Sequence, residues 1–180
     1  MTLTLHSLSP VDEPYKRQMT SYRRTRSAIL EGAKALIASQ GLQRASMIEI
    51  ADTAQVSRAT LYNHFRDKNS VVRALLESEV ERILQLADSD ISTSDALTRI
   101  SIEISSDSAL ATMRRTDPAE LTQILTHVGD PLWDQIRTGM AKLVSDATLT
   151  EVVQLWLVGQ VMRPLDVAQS REQARAITSL

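Results

Sequence analysis

The chain has 180 residues, of which 43% are apolar and 3% aromatic, with only five glycines and five prolines. This composition favours an all-α protein over a sheet protein. The absence of cysteine excludes disulfides and thiolate metal sites, and favours a cytoplasmic location. We expect no membrane association, because no apolar run reaches the roughly 18 residues of a membrane span. The first residues also lack the basic and apolar regions of a signal peptide.

The net charge of −2 hides two halves of opposite sign. Residues 15–70 contain ten basic and four acidic residues, which gives +6, whereas residues 71–180 contain ten basic and sixteen acidic residues, which gives −6. Salt screens charges beyond about 8 Å under physiological conditions, so a phosphate near the first half would sense its local positive charge. The asymmetry indicates a protein with two functional parts.

Residues 1–20 contain two prolines and few large apolar side chains, so we expect a flexible arm. Its end and the residues that follow are basic: Lys16, Arg17, Arg23, Arg24 and Arg26. Two interpretations remain open, a solvated tail or an arm that lies against phosphates or in a minor groove. Apolar residues at helical spacing then predict a first helix over about 22–40, which Gly41 ends.

The stretch 46–65 predicts two short helices joined by a tight turn. Ser46 and Glu49 have the spacing of a capping box, and Ser57 is a good N-cap for the second helix. In that second helix Leu61 and Phe65 lie four residues apart and face inward together. Polar side chains remain on its outer face: Arg58, Thr60, Tyr62, Asn63 and His64. A docked helix with such a face suits the reading of base edges in a DNA major groove.

Residues 23–84 resemble the DNA-binding domain of the TetR family of transcriptional regulators. The resemblance is carried by Ile50-Ala51, Ala54-x-Val56-Ser57, the run Thr60-Leu61-Tyr62-Asn63-His64-Phe65, and Lys68. It implies a three-helix helix-turn-helix domain over 21–67, and a fold in which a helical effector and dimerisation bundle follows. The sequence departs from the family at Gln55 and Ala59, where glycine is common. A positive φ at Gln55 would cost on the order of 1 kcal/mol.

The resemblance also implies roles for individual residues. Tyr62, His64 and Lys68 are expected to contact phosphates, whereas Arg58, Thr60 and Asn63 are candidates for base contacts. Two interpretations of Arg44 remain open: it contacts a phosphate, or it is simply exposed to solvent. The complete set of predicted DNA-binding residues is Arg44, Ser46, Ser57, Arg58, Thr60, Tyr62, Asn63, His64 and Lys68.

A connecting helix is predicted over 68–87, and the polar linker that begins at residue 88 marks a domain boundary. Lys68 in the first turn opposes the helix dipole, a conflict that a nearby phosphate would remove. The remaining segment, 88–180, is expected to bind a ligand and to dimerise. Capping signals at Asp117, Asp130 and Ser170 help to mark its helices. Those helices are predicted at about 95–106, 108–115, 118–127, 131–147, 150–163 and 170–180.

The helix predicted at 150–163 is apolar on all sides, so it needs cover beyond one small subunit. In the resembled family the last two helices form the dimer interface, although the segment 170–180 is shorter than usual here. The predicted interface residues are Val153, Leu157, Val158, Val161 and Met162. We therefore expect a homodimer that binds palindromic double-stranded DNA.

Several larger side chains in this half are candidates for an effector site, although each also fits an ordinary core: Met113, His127, Trp133, Met140 and Trp156. A single histidine in this half excludes a histidine metal cluster, and no cofactor is expected. The resulting hypothesis is a sequence-specific repressor that a small apolar or amphipathic effector releases. An alternative is a DNA-binding regulator without an effector, whose second half serves only dimerisation or protein interaction. An enzyme is disfavoured because no nucleophile motif or phosphate loop occurs.

Overall fold

The computed structural model describes residues 12–87, 91–127 and 129–179, with side chains from residue 16 onward. These residues form ten α-helices and no strand, which confirms the all-α prediction. The helices are α1 Asp12–Gln40, α2 Met47–Thr53, α3 Arg58–His64, α4 Lys68–Leu84, α5 Thr93–Ser106, α6 Ser108–Thr116, α7 Pro118–Thr126, α8 Pro131–Met140, α9 Ala147–Met162 and α10 Val167–Thr178.

Helix α1 is longer at its N-terminus than the sequence predicted. It begins at Asp12 instead of near residue 22, so residues 12–20 of the expected arm are helical. Pro14 is compatible with this start, because the first four amides of a helix have no intrahelical acceptor. The rest of the expected arm, residues 1–11, lies outside the described residues.

The end of α8 and the start of α10 also differ from the prediction. Helix α8 stops at Met140 instead of residue 147, and a turn leads to Asp146, which caps α9 through the amide of Leu149 at 2.8 Å. Helix α10 begins at Val167 because Asp166 and Gln169 form a capping box. Ser170, predicted as the cap, is a fully buried helical residue instead.

Two hydrophobic cores organise the molecule. The first joins α1–α4 to buried residues of α6 and α7, namely Ala109, Met113 and Leu121. The second lies among α5, α8, α9 and α10, with the end of α4 packed on it. Because α6 and α7 share the first core, the helix-turn-helix segment is packed directly on part of the C-terminal half.

Two glycines allow close approaches in the first core. A Cβ at Gly32 of α1 would lie 2.9 Å from both the Cβ and the backbone nitrogen of Ala54, which follows α2. Gly41 ends α1 with a φ of 91°, and a Cβ there would collide with the Asp117 carboxylate and the Thr116 hydroxyl. Glycine thus allows α1 and the loop after it to pack against their neighbours.

Candidate nucleic-acid interface and effector cavity

Both short helices of the helix-turn-helix are capped as the sequence predicted. Ser46 and Glu49 form a reciprocal capping box at the start of α2, with the Ser46 amide donating to Glu49 Oε2 at 3.1 Å. Ser57 Oγ accepts the Thr60 amide at 3.0 Å at the start of α3. The hydroxyls of Ser46 and Ser57 therefore position α2 and α3, whatever contact they also make with DNA.

The turn between α2 and α3 uses a left-handed residue that is not glycine. Gln55 has a φ of 54°, and among the described residues no other non-glycine residue has a positive φ. This conformation costs on the order of 1 kcal/mol for an L-residue. Val56, next to it, packs against the first core and offsets that cost.

Helix α3 is anchored on one face and open on the other. Leu61 and Phe65 are buried in the first core, as predicted from their spacing. Arg58, Tyr62 and Asn63 are exposed on the opposite side. Thr60 is half-buried, and its hydroxyl lies 2.7 Å from the Ser57 hydroxyl. The exposed face combines a guanidinium, a phenol and a carboxamide, groups that bind base edges and phosphates in a major groove.

Lys68 has a structural partner that the sequence did not reveal. Its ammonium donates to the backbone carbonyls of Leu42 and Gln43 at 3.2 and 3.3 Å, in the loop between α1 and α2. The conflict with the dipole of α4 is thus resolved within the protein and requires no phosphate. Arg44, in the same loop, is exposed. Lys68 therefore helps to fix the backbone from which Arg44 extends.

The His64 side chain also packs against another part of the protein. Its ring stacks on Tyr22 of α1 with the centroids 4.2 Å apart, and Nδ1 is buried without a hydrogen-bond partner in the described structure. Burial, together with the nearby charge of Arg26, lowers the pKa of His64 below its usual value. The side chain is therefore neutral at physiological pH and attracts a phosphate less than a charged imidazole would.

The elongated α1 presents a basic surface next to the helix-turn-helix. Its exposed positions include Lys16, Arg17, Arg23 and Arg24, and all four lie on the N-terminal half of the helix. A rigid helix holds these charges in fixed positions, whereas an arm would disperse them. The extension itself, residues 12–20, contains two acidic and two basic residues and adds no net charge. Arg23 and Arg24 follow Tyr22, which stacks on His64 of α3, so these two arginines supply positive charge near the helix-turn-helix, as a phosphate-binding surface requires.

An apolar cavity of about 210 Å³ lies between the two cores. Three predicted effector residues are in its wall, namely Met113, Trp133 and Met140. The other two are not: His127 is exposed at the end of α7, and Trp156 turns towards α10, where its indole nitrogen donates to Gln173 Oε1 at 2.7 Å. The structure therefore does not bring these two residues together with the other three at this cavity. Both fit a helical pattern, but only the tertiary packing shows which way each side chain points.

Charged side chains meet at one part of the cavity wall. We call Lys34, Glu79, Arg82, Glu103 and Asp107 the ion-pair cluster. Lys34 Nζ lies 2.8 Å from both Glu79 Oε2 and Asp107 Oδ2. Arg82 lies 2.9 Å from Glu79 and 2.7 Å from Glu103. The cluster ties α1, α4 and α5 together, and no sequence signal linked these residues because they are far apart in the chain.

Most of the predicted dimer residues lie on the inner side of α9 in a single subunit. Val153 and Leu157 are buried within the subunit, and Leu157, Val158 and Val161 line the cavity, so these side chains face inward. Of the five predicted residues, only Met162 is exposed. The exposed apolar face of α9 is formed instead by Val152, Leu155 and Met162. An apolar pattern all round a helix cannot by itself show which side meets the subunit's own core.

These features define an all-α protein with a helix-turn-helix, and we call α2 and α3 its recognition unit. The family described as bacterial regulatory proteins, tetR family, matches residues 29–75. The helix-turn-helix domain of this chain is thus a TetR-family domain, which confirms the resemblance seen in the sequence.

Curated relatives agree over the same region. The chain is 35% identical over 63 residues to the HTH-type transcriptional regulator TtgR of Pseudomonas putida, over 35% of this chain and 30% of the relative. It is 34% identical over 65 residues to the regulator UidR of Escherichia coli, over 36% of this chain and 33% of the relative. The matched region thus spans about a third of this chain and about a third of each relative. These relatives are transcriptional regulators and not enzymes, as expected for this chain.

Solved structures match nearly the whole fold. The TetR-family repressor AlkX from Dietzia sp., implicated in biodegradation of n-alkanes, gives a TM-score of 0.66 at 16% identity, over 84% of this chain and 94% of that one. FadR from Bacillus subtilis in complex with stearoyl-CoA gives 0.57 at 17% identity, over 85% of this chain and 97% of that one. At these identities the likeness shows the fold alone. No helix in the described ranges is long and apolar enough to span a membrane.

Proposed function

We propose that the chain is a sequence-specific DNA-binding transcriptional regulator that acts as a homodimer in the cytoplasm. The observation that carries the proposal is the geometry of α3, whose inner face is fixed by Leu61 and Phe65 while Arg58, Tyr62 and Asn63 face outward. Exposed Arg44 and the basic surface of α1 supply charge for phosphates beside it. A two-fold dimer presents two such helices, so the target is a palindromic duplex.

The test is selection of bound duplexes from a random pool at a stated salt concentration. Enrichment of a palindrome whose half-sites repeat at about one helical turn supports the proposal. Binding that is equally tight to every duplex would contradict it, because phosphate contacts alone carry no sequence information.

We further propose that the protein is a repressor which a small molecule in the cavity releases from DNA. The cavity wall includes α4 residues such as Leu75 and Val80, and α4 begins at Lys68, which contacts the loop before α2. A ligand that displaces α4 or the α6–α7 junction would thus move the recognition unit. Coupling of this kind is typically worth 1–3 kcal/mol, and operator DNA must weaken ligand binding by the same factor. The alternative is a regulator without an effector, and under that alternative the cavity would have no role in regulation.

A further inference from the structure

The composition of the cavity wall restricts the ligand that it accepts. Apart from the ion-pair cluster and Gln154, the wall is apolar, with contributions from residues such as Val72, Leu76 and Ile136. Its volume of about 210 Å³ is below the roughly 300–1,000 Å³ of pockets for drug-sized ligands. The occupant must therefore be small and mostly apolar.

Every charged residue of the wall is already in an ion pair, with three carboxylates around two cations. Lys34 pairs with two carboxylates at 2.8 Å, and Arg82 pairs with two carboxylates at 2.9 and 2.7 Å. An ionised ligand would have to separate one of these pairs and leave a partly buried charge uncompensated. Without a partner, its own charge would lose hydration in an apolar space. An anionic ligand is therefore penalised most, because the cluster has one carboxylate in excess. A cationic ligand is still penalised, because it loses hydration and each carboxylate already has a cationic partner.

Gln154 is the polar wall residue outside the ion-pair cluster. It lies on α9, is half-buried, and its side chain makes no hydrogen bond with any described residue. A carboxamide has two donor hydrogens and an acceptor oxygen, so it can bind either a hydroxyl or a carbonyl. Other glutamines of this region are engaged, since Gln160 Oε1 accepts from Ser101 at 2.6 Å.

We infer that the cavity binds an uncharged apolar molecule with one hydroxyl or carbonyl group, and that Gln154 binds that group. This inference rests on the proposed effector function and names the ligand class for its cavity. The apolar part of the ligand lies among the aliphatic residues, and the ion-pair cluster remains closed around it. The class thus comprises medium-chain alcohols, ketones and related neutral compounds.

Four probes of equal chain length test the inference: octanol, octane, octanoate and octylamine. Trp133 in the wall reports binding by its fluorescence, and Trp156→Phe removes the other tryptophan. At neutral pH we expect octanol to bind at least about tenfold more tightly than octanoate or octylamine. Gln154→Leu should weaken the binding of octanol by about fivefold and leave the binding of octane unchanged. Gln123→Leu, at an exposed position of α7, is the matched control, and it should not change the binding of octanol.

Equal or tighter binding of octanoate or octylamine would overturn the inference, as would the absence of octanol binding at concentrations near its solubility. Val80→Phe, which fills the cavity from α4, must also reduce octanol binding, or the probe binds elsewhere. Sequence-selective DNA binding is measured on the same unliganded preparations. If DNA binding persists while octanol fails, the ligand class is wrong and the DNA-binding function stands. Loss of DNA selectivity in the wild type would contradict the proposed function itself.

Discussion

Asp117 Oδ2 accepts the backbone amide of Leu42 at 2.9 Å, although the two residues are 75 positions apart. Asp117 Oδ1 accepts the next amide, that of Gln43, also at 2.9 Å. The carbonyls of the same two loop residues accept from Lys68. Asp117 follows α6, which carries the cavity-wall residue Met113. The loop that leads into the helix-turn-helix is therefore held between an ammonium of α4 and a carboxylate at the junction of α6 and α7, two helices that line the cavity.

Asp117→Asn should loosen this loop. Asp117 is 2% exposed, and the substitution places an amide donor against a backbone N–H where an acceptor is needed. A buried donor left without an acceptor costs about 1–3 kcal/mol, which urea denaturation would measure as a loss in the free energy of unfolding. Hydrogen exchange at Leu42 and Gln43 should become faster. Asp134→Asn, on the exposed face of α8, should change stability by no more than about 0.5 kcal/mol. Equal stability of the two variants would contradict the prediction.

Acid should remove the contribution of Asp117 selectively. Burial opposes its ionisation, but the Thr116 hydroxyl, the amides of Gln43 and Leu42 and the charge of Lys68 together lower the pKa of Asp117 below 3.8. A carboxyl whose pKa is lower in the folded state stabilises the fold above the unfolded value, and that stabilisation disappears as the pH falls through the folded pKa. The difference in unfolding free energy between wild type and Asp117→Asn should therefore be constant above about pH 5 and shrink below pH 3.8. A difference that is independent of pH would refute this account.

The elements that the sequence predicted well depend on local signals. The capping box at Ser46, the cap at Ser57 and the inward pair Leu61 and Phe65 are set by neighbours within four residues. Asp117 shows the limit of such signals. Its position before a proline suggested a cap for α7, yet it makes no side-chain capping bond, because its oxygens are used by a loop 75 positions earlier.

A similar limit explains the wrong end of α8. Leu143 and Val144 continue its apolar spacing, so the sequence extended the helix to 147, whereas the chain turns after Met140. The turn keeps both residues packed in the second core. Periodicity thus records that a residue is buried but not the backbone path that buries it. The same reasoning applies to α9, whose inner and outer faces only the tertiary packing distinguishes.

Gly32→Ala should separate α1 from the helix-turn-helix. The added methyl would lie 2.9 Å from the Ala54 backbone, which cannot move without shifting the turn at Gln55. Overpacking of this kind costs about 1–3 kcal/mol, more than the roughly 1 kcal/mol gained from helix propensity. We expect both a lower melting temperature and weaker DNA binding. Gly129→Ala meets nothing within 4 Å and should be neutral or slightly stabilising. If Gly32→Ala is as stable as that control, the turn is not held by α1.

Two arginines should affect DNA binding differently. Arg58→Ala, on the exposed face of α3, should cost roughly 1–3 kcal/mol on the selected palindrome and relax preference at one base pair per half-site. Arg44→Ala, in the exposed loop, should weaken selected and random duplexes alike and reduce the salt slope by about one. Binding assays at several salt concentrations separate the two outcomes. If Arg58→Ala loses equal affinity for both duplexes, Arg58 does not recognise a base.

The outward face of α9 should form the dimer interface. Val152, Leu155 and Met162 are 42%, 69% and 47% exposed, and they fall three and seven residues apart, as on one seam of a helix that packs against another. Leu155→Glu would bring two carboxylates together at a two-fold interface, so we expect dissociation into monomers. Sedimentation velocity at micromolar concentration measures the change, and Ile48→Glu, 44% exposed on α2, is the control that should leave assembly intact.

The dissociated variant should also bind the palindrome much more weakly, because each monomer then contacts one half-site and loses the advantage of a linked second contact. Its affinity for a single half-site should remain that of the wild-type domain, since α3 lies in the first core and Leu155 does not. A Leu155→Glu protein that remains dimeric would show that subunits meet elsewhere. A monomeric variant that still binds the full palindrome as tightly as wild type would show that dimerisation contributes nothing to recognition.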